Sequence, residues 1–443
     1  MLNRFDFTMI MVTLVIGMGI FRTPANVAAQ VPNALVFFGV WIFGGLVAIC
    51  GALTYAEIGS RYPVTGGYYK IFSYAYHPSV AFAINCIILI SNAASLAGVA
   101  LIGAEYIVKV ILPISAYKEA VQISVAIFSI VLFYGINLAG LKMSARTQNV
   151  LAIIKISLIV LLISPLFFYT PTAIPTLPII DTSSPTLLAY IKAFGLGLVA
   201  VSFTYGGYQQ SINFGEEVTN PAKNIPKGII YGLLIIIILY LTINYTYYKV
   251  IGFETLKTSK NIAAILASHV LGNAASNVLS ILLFMGVLAY VNALLMSNPR
   301  VMQAMGQEGT LPPLFAKRTA KREVLFYSLS IFTAVTIFIV FWAKTFDEIL
   351  SFTIFLDSIG MVFSAATIFK LRRTTAHLNN KGIFIMRLFP LLPVMFILTY
   401  AFIATVIFFD KPNTALLGLV ILAVFIAIYF VIKFLKKVKT SYP

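Results

Sequence analysis

The chain is poor in charge and in the residue types from which reaction centres are usually built. Only 10% of its 443 residues are Asp, Glu, Lys or Arg, and it has two cysteines and three histidines. Cys50 and Cys86 both fall within long apolar stretches. No disulfide framework is therefore expected, and no external thiol is available to tether a partner subunit. His77, His269 and His377 are scattered over different connections. No metal-ligand cluster, no cofactor site and no nucleophile–base pair suggests itself, which argues against an enzyme. Low-complexity runs and connections long enough for a soluble domain are also missing.

What is present is hydrocarbon: 60% of the residues are apolar. A soluble chain of this length could not bury that fraction, so the protein is expected to be an all-α polytopic membrane protein. A span needs roughly 20 apolar residues to cross a core of about 30 Å. Windows of that length give twelve spans, at about 6–30, 34–58, 79–110, 120–140, 148–169, 187–212, 228–250, 275–305, 324–343, 347–370, 385–409 and 414–436. The first lacks a small-residue cleavage site and is followed at once by a second, so it is not read as a cleavable signal.

Acids are scarce too, 14 against 31 Lys and Arg, for a net charge of +17. Placement identifies the excess as a topology signal rather than a nucleic-acid surface. With the N-terminus in the cytoplasm, most basic residues fall in cytoplasmic segments, from Arg61 and Lys70 to the tail Lys433, Lys436, Lys437 and Lys439. This bias predicts an integral plasma (inner) membrane protein with both termini cytoplasmic. The tail is also suited to contact with anionic lipid.

Interruptions inside the spans carry the functional signal, because charge and broken helix are costly in lipid. Span 1 contains VIGMGIF, with Gly17 and Gly19 near mid-depth, and span 6 contains Gly206 and Gly207 within FTYGGYQQSINFGEE. Lys155 lies in NVLAIIKISLIVLL of span 5 and Asp357 in SFTIFLDSIGMVF of span 10. Spans 1 and 6 each open a run of five, and paired breaks in corresponding halves point to an inverted-repeat transporter with its site where the breaks meet. The alternative is that these glycines only permit close helix packing.

Unwinding at Gly17–Gly19 would free N–H groups at the start of the outer half-helix, which suit a carboxylate. Carbonyls near Val15 and Ile16, with a second set near Phe203 and Thr204, suit an ammonium. An α-amino acid satisfies both ends. Lys155 reads either as a buried cation served by carbonyls near Gly17 and by Ser297, or as a lysine snorkelling to the interface. Asp357 either faces the central cavity, attracting a cationic substrate or a proton, or pairs only with a neighbouring hydroxyl. Glu57, Glu216 and Glu217, with Arg61, Arg146 and Arg300, read as an inner-gate ion-pair network. Glu105, near the outer end of span 3, is expected to be solvated, and Gly66 and Gly67 to turn a helical connection.

Together VIGMGIF, LTYAEIGSRYPVTGGYY (53–69), FTYGGYQQSINFGEEVTNPAKNIPKGI (203–229) and MSNPRVMQAMGQEGTLP (296–312) resemble the amino acid–polyamine–organocation superfamily. The similarity is greatest to the L-type amino acid transporter branch and its bacterial relatives. The resemblance implies a leucine-transporter-type fold of five-plus-five inverted repeats, 1–170 and 187–371, with broken helices 1 and 6. Residues 384–443 would add two peripheral helices and a basic tail. It further implies substrate binding by Val15, Ile16, Gly17, Met18, Gly19, Phe203, Thr204 and Gly206, with gating or coupling by Lys155, Ser297, Phe203, Tyr208 and Asp357. In such relatives the span-5 lysine stands where sodium sits in sodium-coupled ones, bridging spans 1 and 8. One departure is plain: Met18 replaces the usual serine between the glycines, so a hydroxyl is lost. The expected function is secondary transport of neutral L-amino acids, sodium-independent, by exchange or proton coupling. Transport of cationic amino acids or polyamines, and a non-transporting amino acid sensor, are the alternatives.

Overall fold

The computed structural model describes residues 1–17, 19–112, 117–168, 186–259, 262–263, 265–266, 273–320, 322–342, 346–378 and 382–440. Among these residues the chain is helical, with two isolated β-bridges and no strand. Helices α1 (Arg4–Val15) and α2 (Gly19–Gln30) form the first, interrupted span. They are followed by α3 (Ala34–Arg61), the short α4 (Gly67–Ala75), α5 (Pro78–Ile111), α6 (Lys118–Leu138) and α7 (Leu141–Ile163). The second half holds α8 (Leu187–Tyr205), α9 (Pro221–Ile251), α10 (Asn273–Gln307), α11 (Phe326–Trp342), α12 (Phe346–Thr374), α13 (Leu391–Asp410) and α14 (Pro412–Thr440).

Eleven helical segments among the described residues are long and apolar enough to cross a membrane, against the twelve expected. The difference is α11, whose apolar stretch Phe326–Phe341 rises about 24 Å at 1.5 Å per residue, short of a bilayer core.

Local chemistry sets the helix starts. Asn3 and Asp6 form a reciprocal capping box, with the Asp6 N–H donating to the Asn3 side chain at 2.8 Å. The Val36 N–H donates to Asn33 at 3.0 Å, and Pro78 and Pro221 occupy first-turn positions where no amide donor is needed. Burial then sorts the helices. The most apolar window of α5 is 83% buried, while that of α14 is 11% buried. Around α5 pack α10, α12, α6 and α14, while α3 lies along α9 and α2 along α8.

The face that carries the N-terminus is tied shut by polar contacts. The Leu2 N–H donates to Glu217 O at 2.6 Å, and the Thr219 N–H donates to Leu2 O at 2.9 Å. Buried Glu57 receives Arg61 at 2.8 Å, Arg372 at 2.7 Å and the Met386 N–H at 2.9 Å. Glu217 pairs with Arg300 at 2.8 Å and Arg318 at 3.7 Å, while Glu216 accepts the Thr65 hydroxyl. Among the described residues the expected network therefore holds for Glu57, Glu217, Arg61 and Arg300 but not for Glu216, whose partner is a hydroxyl, or for Arg146, which is exposed; neither is in an ion pair. The α7 position of Arg146 turns it outward, and Arg372 and Arg318 take the acids from sequence-distant segments. Gly66, at φ +65°, turns the chain into α4, and a Cβ there would meet Arg300 O at 2.5 Å. Glu105, as expected, is only half-buried and pairs with Lys109 at 2.8 Å.

Candidate functional site

The first break begins where α1 runs out of hydrogen bonds. The Ile16 N–H still reaches Val12 O at 2.8 Å, but the Gly17 N–H turns back to Val15 O at 2.7 Å, and the helix resumes at Gly19. Met18, assigned to the site from sequence, lies outside the described residues. The second break follows Tyr205. Gly206 is extended, Gly207 has φ +112°, and the chain continues as 3₁₀ turns over Tyr208–Asn213 and Gly215–Glu217. The far side of this break is thus tighter than an α-helix, with two consecutive turns in which i→i+3 bonds replace i→i+4.

The two breaks touch. A Cβ on Gly207 would lie 2.2 Å from Leu14 O, and one on Gly19 would lie 2.8 Å from Thr204 Oγ1. Gly17 differs, since a Cβ there would meet only the Tyr290 ring at 3.7 Å. Close approach therefore explains Gly19 and Gly207, and the packing alternative is realised at those two positions. It does not explain Gly17.

Lys155 is 1% exposed, and its Nζ donates to Ile16 O. It points into the protein at the end of α1 instead of snorkelling to an interface, and its stem lies against α10, where a Cβ on Gly286 would sit 3.9 Å from Cε. Ser297, expected beside it, is elsewhere. It lies roughly 16 Å further along α10 by helical rise, accepting from Asn213 Nδ2 at 3.1 Å and donating to Gln210 O at 3.4 Å. The carbonyls expected for an ammonium ligand are also committed. Ile16 O serves Lys155, and Val15 O accepts from the Gly17 N–H and from the Tyr240 hydroxyl at 3.3 Å.

A cavity opens where the breaks meet. Of the expected residues, Val15, Gly17, Gly19, Phe203, Thr204, Gly206 and Asp357 line it. Ile16 and Tyr208 are buried outside its wall, Tyr208 packing edge-on to Tyr55 with ring centroids 6.0 Å apart. Asp357 accepts the Ser91 hydroxyl at 2.7 Å, so both of its expected surroundings, cavity and hydroxyl, are present. Sequence reasoning missed Asn92, Ser95, Gln210, Tyr290 and Tyr400 of the same wall. Their only signal was a polar or hydroxyl group inside an apolar span. Also missed was a buried polar ladder below Lys155, in which Gln148 donates to Thr13 and to Ala289 O, and Asn292 joins Gln148 to Asn137.

The amino acid permease family model matches residues 2–432. The chain belongs to the amino acid permease family. Among its relatives, this permease is 28% identical to the methylthioribose transporter of Bacillus subtilis (strain 168) over 71% of its own length and 69% of that protein's. It is 25% identical to the serine/threonine exchanger SteT of the same organism, over 88% of its length and 87% of the exchanger's. The human large neutral amino acids transporter small subunit 2 is 24% identical over 95% of this chain and 78% of that protein. These homologues are transporters, and the many apolar helices fit an integral membrane permease.

Proposed function

We infer that this permease is a sodium-independent secondary transporter of neutral L-amino acids, working by exchange or proton coupling through alternating access. The observation that carries this reading is the meeting of two unwound segments at one cavity, with a buried ammonium fixed on the backbone of the first. At the start of α2, Gly19 and the N–H groups that follow have no intrahelical acceptors, which suits a carboxylate. The Gly17 N–H is spent on Val15 O, so Met18 is assigned to complete that end and Gly17 serves as the turn. Because Val15 O and Ile16 O are engaged, the substrate ammonium is assigned to the carbonyls of the second break, around Phe203, Thr204 and Gly206. Lys155 stands in for a sodium ion by holding the end of α1 to α7 and α10. Phe203 acts as the outer gate, Tyr208 and Ser297 as supports of the 3₁₀ segment.

In this reading residues 1–170 and 187–371 form the two inverted repeats, and 384–443 forms the periphery. The termini and the ion-paired face lie in the cytoplasm of a plasma membrane, and no disulfide-linked subunit is required. The named substrates of the serine/threonine exchanger and of the large neutral amino acids transporter support the substrate class. The test is uptake of labelled amino acids by the purified protein in liposomes. Uptake that requires internal amino acid means exchange, and uptake driven by a pH gradient means proton symport. Binding without uptake of any amino acid would leave a sensor.

A further inference from the structure

The cavity wall where α5 and α12 meet the 3₁₀ segment of the second break carries hydrogen-bond acceptors, and three amides fix the direction of one of them. Asn298 Nδ2 donates to Leu294 O at 3.0 Å, which turns Asn298 Oδ1 toward Asn92. Asn92 Nδ2 donates to that oxygen at 2.6 Å, so its own Oδ1 faces Gln210 Nε2, 2.8 Å away. Each amide has one donor end and one acceptor end, so this chain can run in only one sense. It leaves Gln210 Oε1 as the terminus, buried and, among the described residues, without a hydrogen-bond partner, on a residue that lines the cavity. Next to Asn92 on α5, Ser91 presents its hydroxyl to Asp357 Oδ1 at 2.7 Å and to Thr353 O at 3.2 Å. One hydroxyl proton is shared between two oxygens there. Among the described residues no cation pairs with Asp357.

A part-buried carboxylate that shares a single hydroxyl donor, beside a buried amide oxygen with no donor, is costly unless a ligand supplies more. We propose that Asp357 and Gln210 form a side-chain subsite that selects substrates whose side chain donates a hydrogen bond: a hydroxyl, an amide or an ammonium. Apolar side chains of the same size would leave Gln210 Oε1 unpaired and Asp357 with only the Ser91 hydroxyl it shares with Thr353 O. The subsite rests on the transporter reading above and adds to it the chemistry of the side chain.

The test uses the full-length protein in liposomes and pairs of amino acids matched in shape. Threonine is compared with valine, and glutamine with methionine, with lysine as the ammonium arm. A site built to pair with a donor rejects the analogue lacking it, so at least about a tenfold preference for a donor-bearing member is expected. Asp357→Ala should bring that ratio close to one, and Gln210→Leu should reduce it by a smaller factor. Gel filtration checks that each variant is folded, and Asp357→Ser replaces Asp357→Ala if the latter is not. Which of threonine, glutamine and lysine is preferred identifies the donor. Valine and methionine taken up as well as threonine and glutamine would overturn the subsite and leave the transporter reading standing. So would a preference unchanged in both variants. Absence of uptake for every amino acid would overturn both.

Discussion

The two broken spans solve the same problem with different materials. At the first break, α-helix stands on both sides, a charged side chain from α7 caps the freed carbonyl of Ile16, and Gly17 closes a tight turn on Val15. At the second, the chain passes through Gly207 at φ +112° into 3₁₀ turns anchored by amides and hydroxyls, with ion pairs at the far turn, where Glu217 meets Arg300 and Arg318. The first break is thus held from neighbouring spans by one ammonium and the Tyr240 hydroxyl, and the second both by its own turns and by Asn92 of α5 and Ser297 of α10. A break held at few points is suited to a part that changes partners during a cycle. A break pinned at many points behaves as a fixed surface against which the first can move.

The comparison can be broken most directly at Gly207. Gly207→Ala forces a side chain into left-handed backbone, about 1–2 kcal/mol by itself, and into Leu14 O at 2.2 Å. We expect loss of folded protein on gel filtration as well as loss of uptake, and a folded, active Gly207→Ala would disprove the fixed contact. Lys155→Ala should act differently, leaving the protein folded while reducing uptake about 100-fold, equivalent to about 3 kcal/mol in the transport barrier. Near-normal uptake would show that the ammonium does not hold the first break.

The third prediction concerns Gly19→Ala, whose Cβ would meet Thr204 Oγ1 at 2.8 Å and Cγ2 at 3.1 Å. We expect uptake to fall about tenfold, or about 1.4 kcal/mol, and to recover in part when combined with Thr204→Ala. Failure of the double variant to recover would mean that the loss is not steric. The smallest effect is expected for Gly17→Ala, where the nearest atoms are in the Tyr290 ring at 3.7 Å. Uptake within about threefold of the parent, under 1 kcal/mol, would distinguish it from Gly19. A loss as large as that of Gly19→Ala would put the two glycines back into one role.

Much of this arrangement was legible in the chain. Closely spaced glycines inside an apolar run are visible locally, as is a single charged residue inside a span. That is why Gly17, Gly19, Gly206, Gly207 and Lys155 could be singled out. Legibility stopped where a group's partner lies far away in the chain. A span-8 hydroxyl can serve a buried cation, which puts Ser297 beside Lys155 on sequence grounds, yet helical rise separates it from that site. Charge and topology put Arg146 in the ion-pair network, while the actual partner Arg372 lies 315 residues from Glu57. The 3₁₀ course after Gly207 has no distinct periodicity in so short a segment, and α11 was counted as a span although its apolar stretch is short.

Sequence alone determined where the chain crosses apolar surroundings and where those crossings are weak, because run length and glycine content act within a few residues. Which backbone groups remain free at the weak points was decided only by the tertiary structure. Ile16 O is occupied by a lysine 139 residues away, Val15 O by Gly17 and Tyr240, and Gln210 Oε1 is left open by a relay of amides from α5 and α10. Hydrogen-bond capacity is spent between atoms about 3 Å apart, and here most of those atoms come from segments more than a hundred residues distant, from 118 between Asn92 and Gln210 to 225 between Val15 and Tyr240.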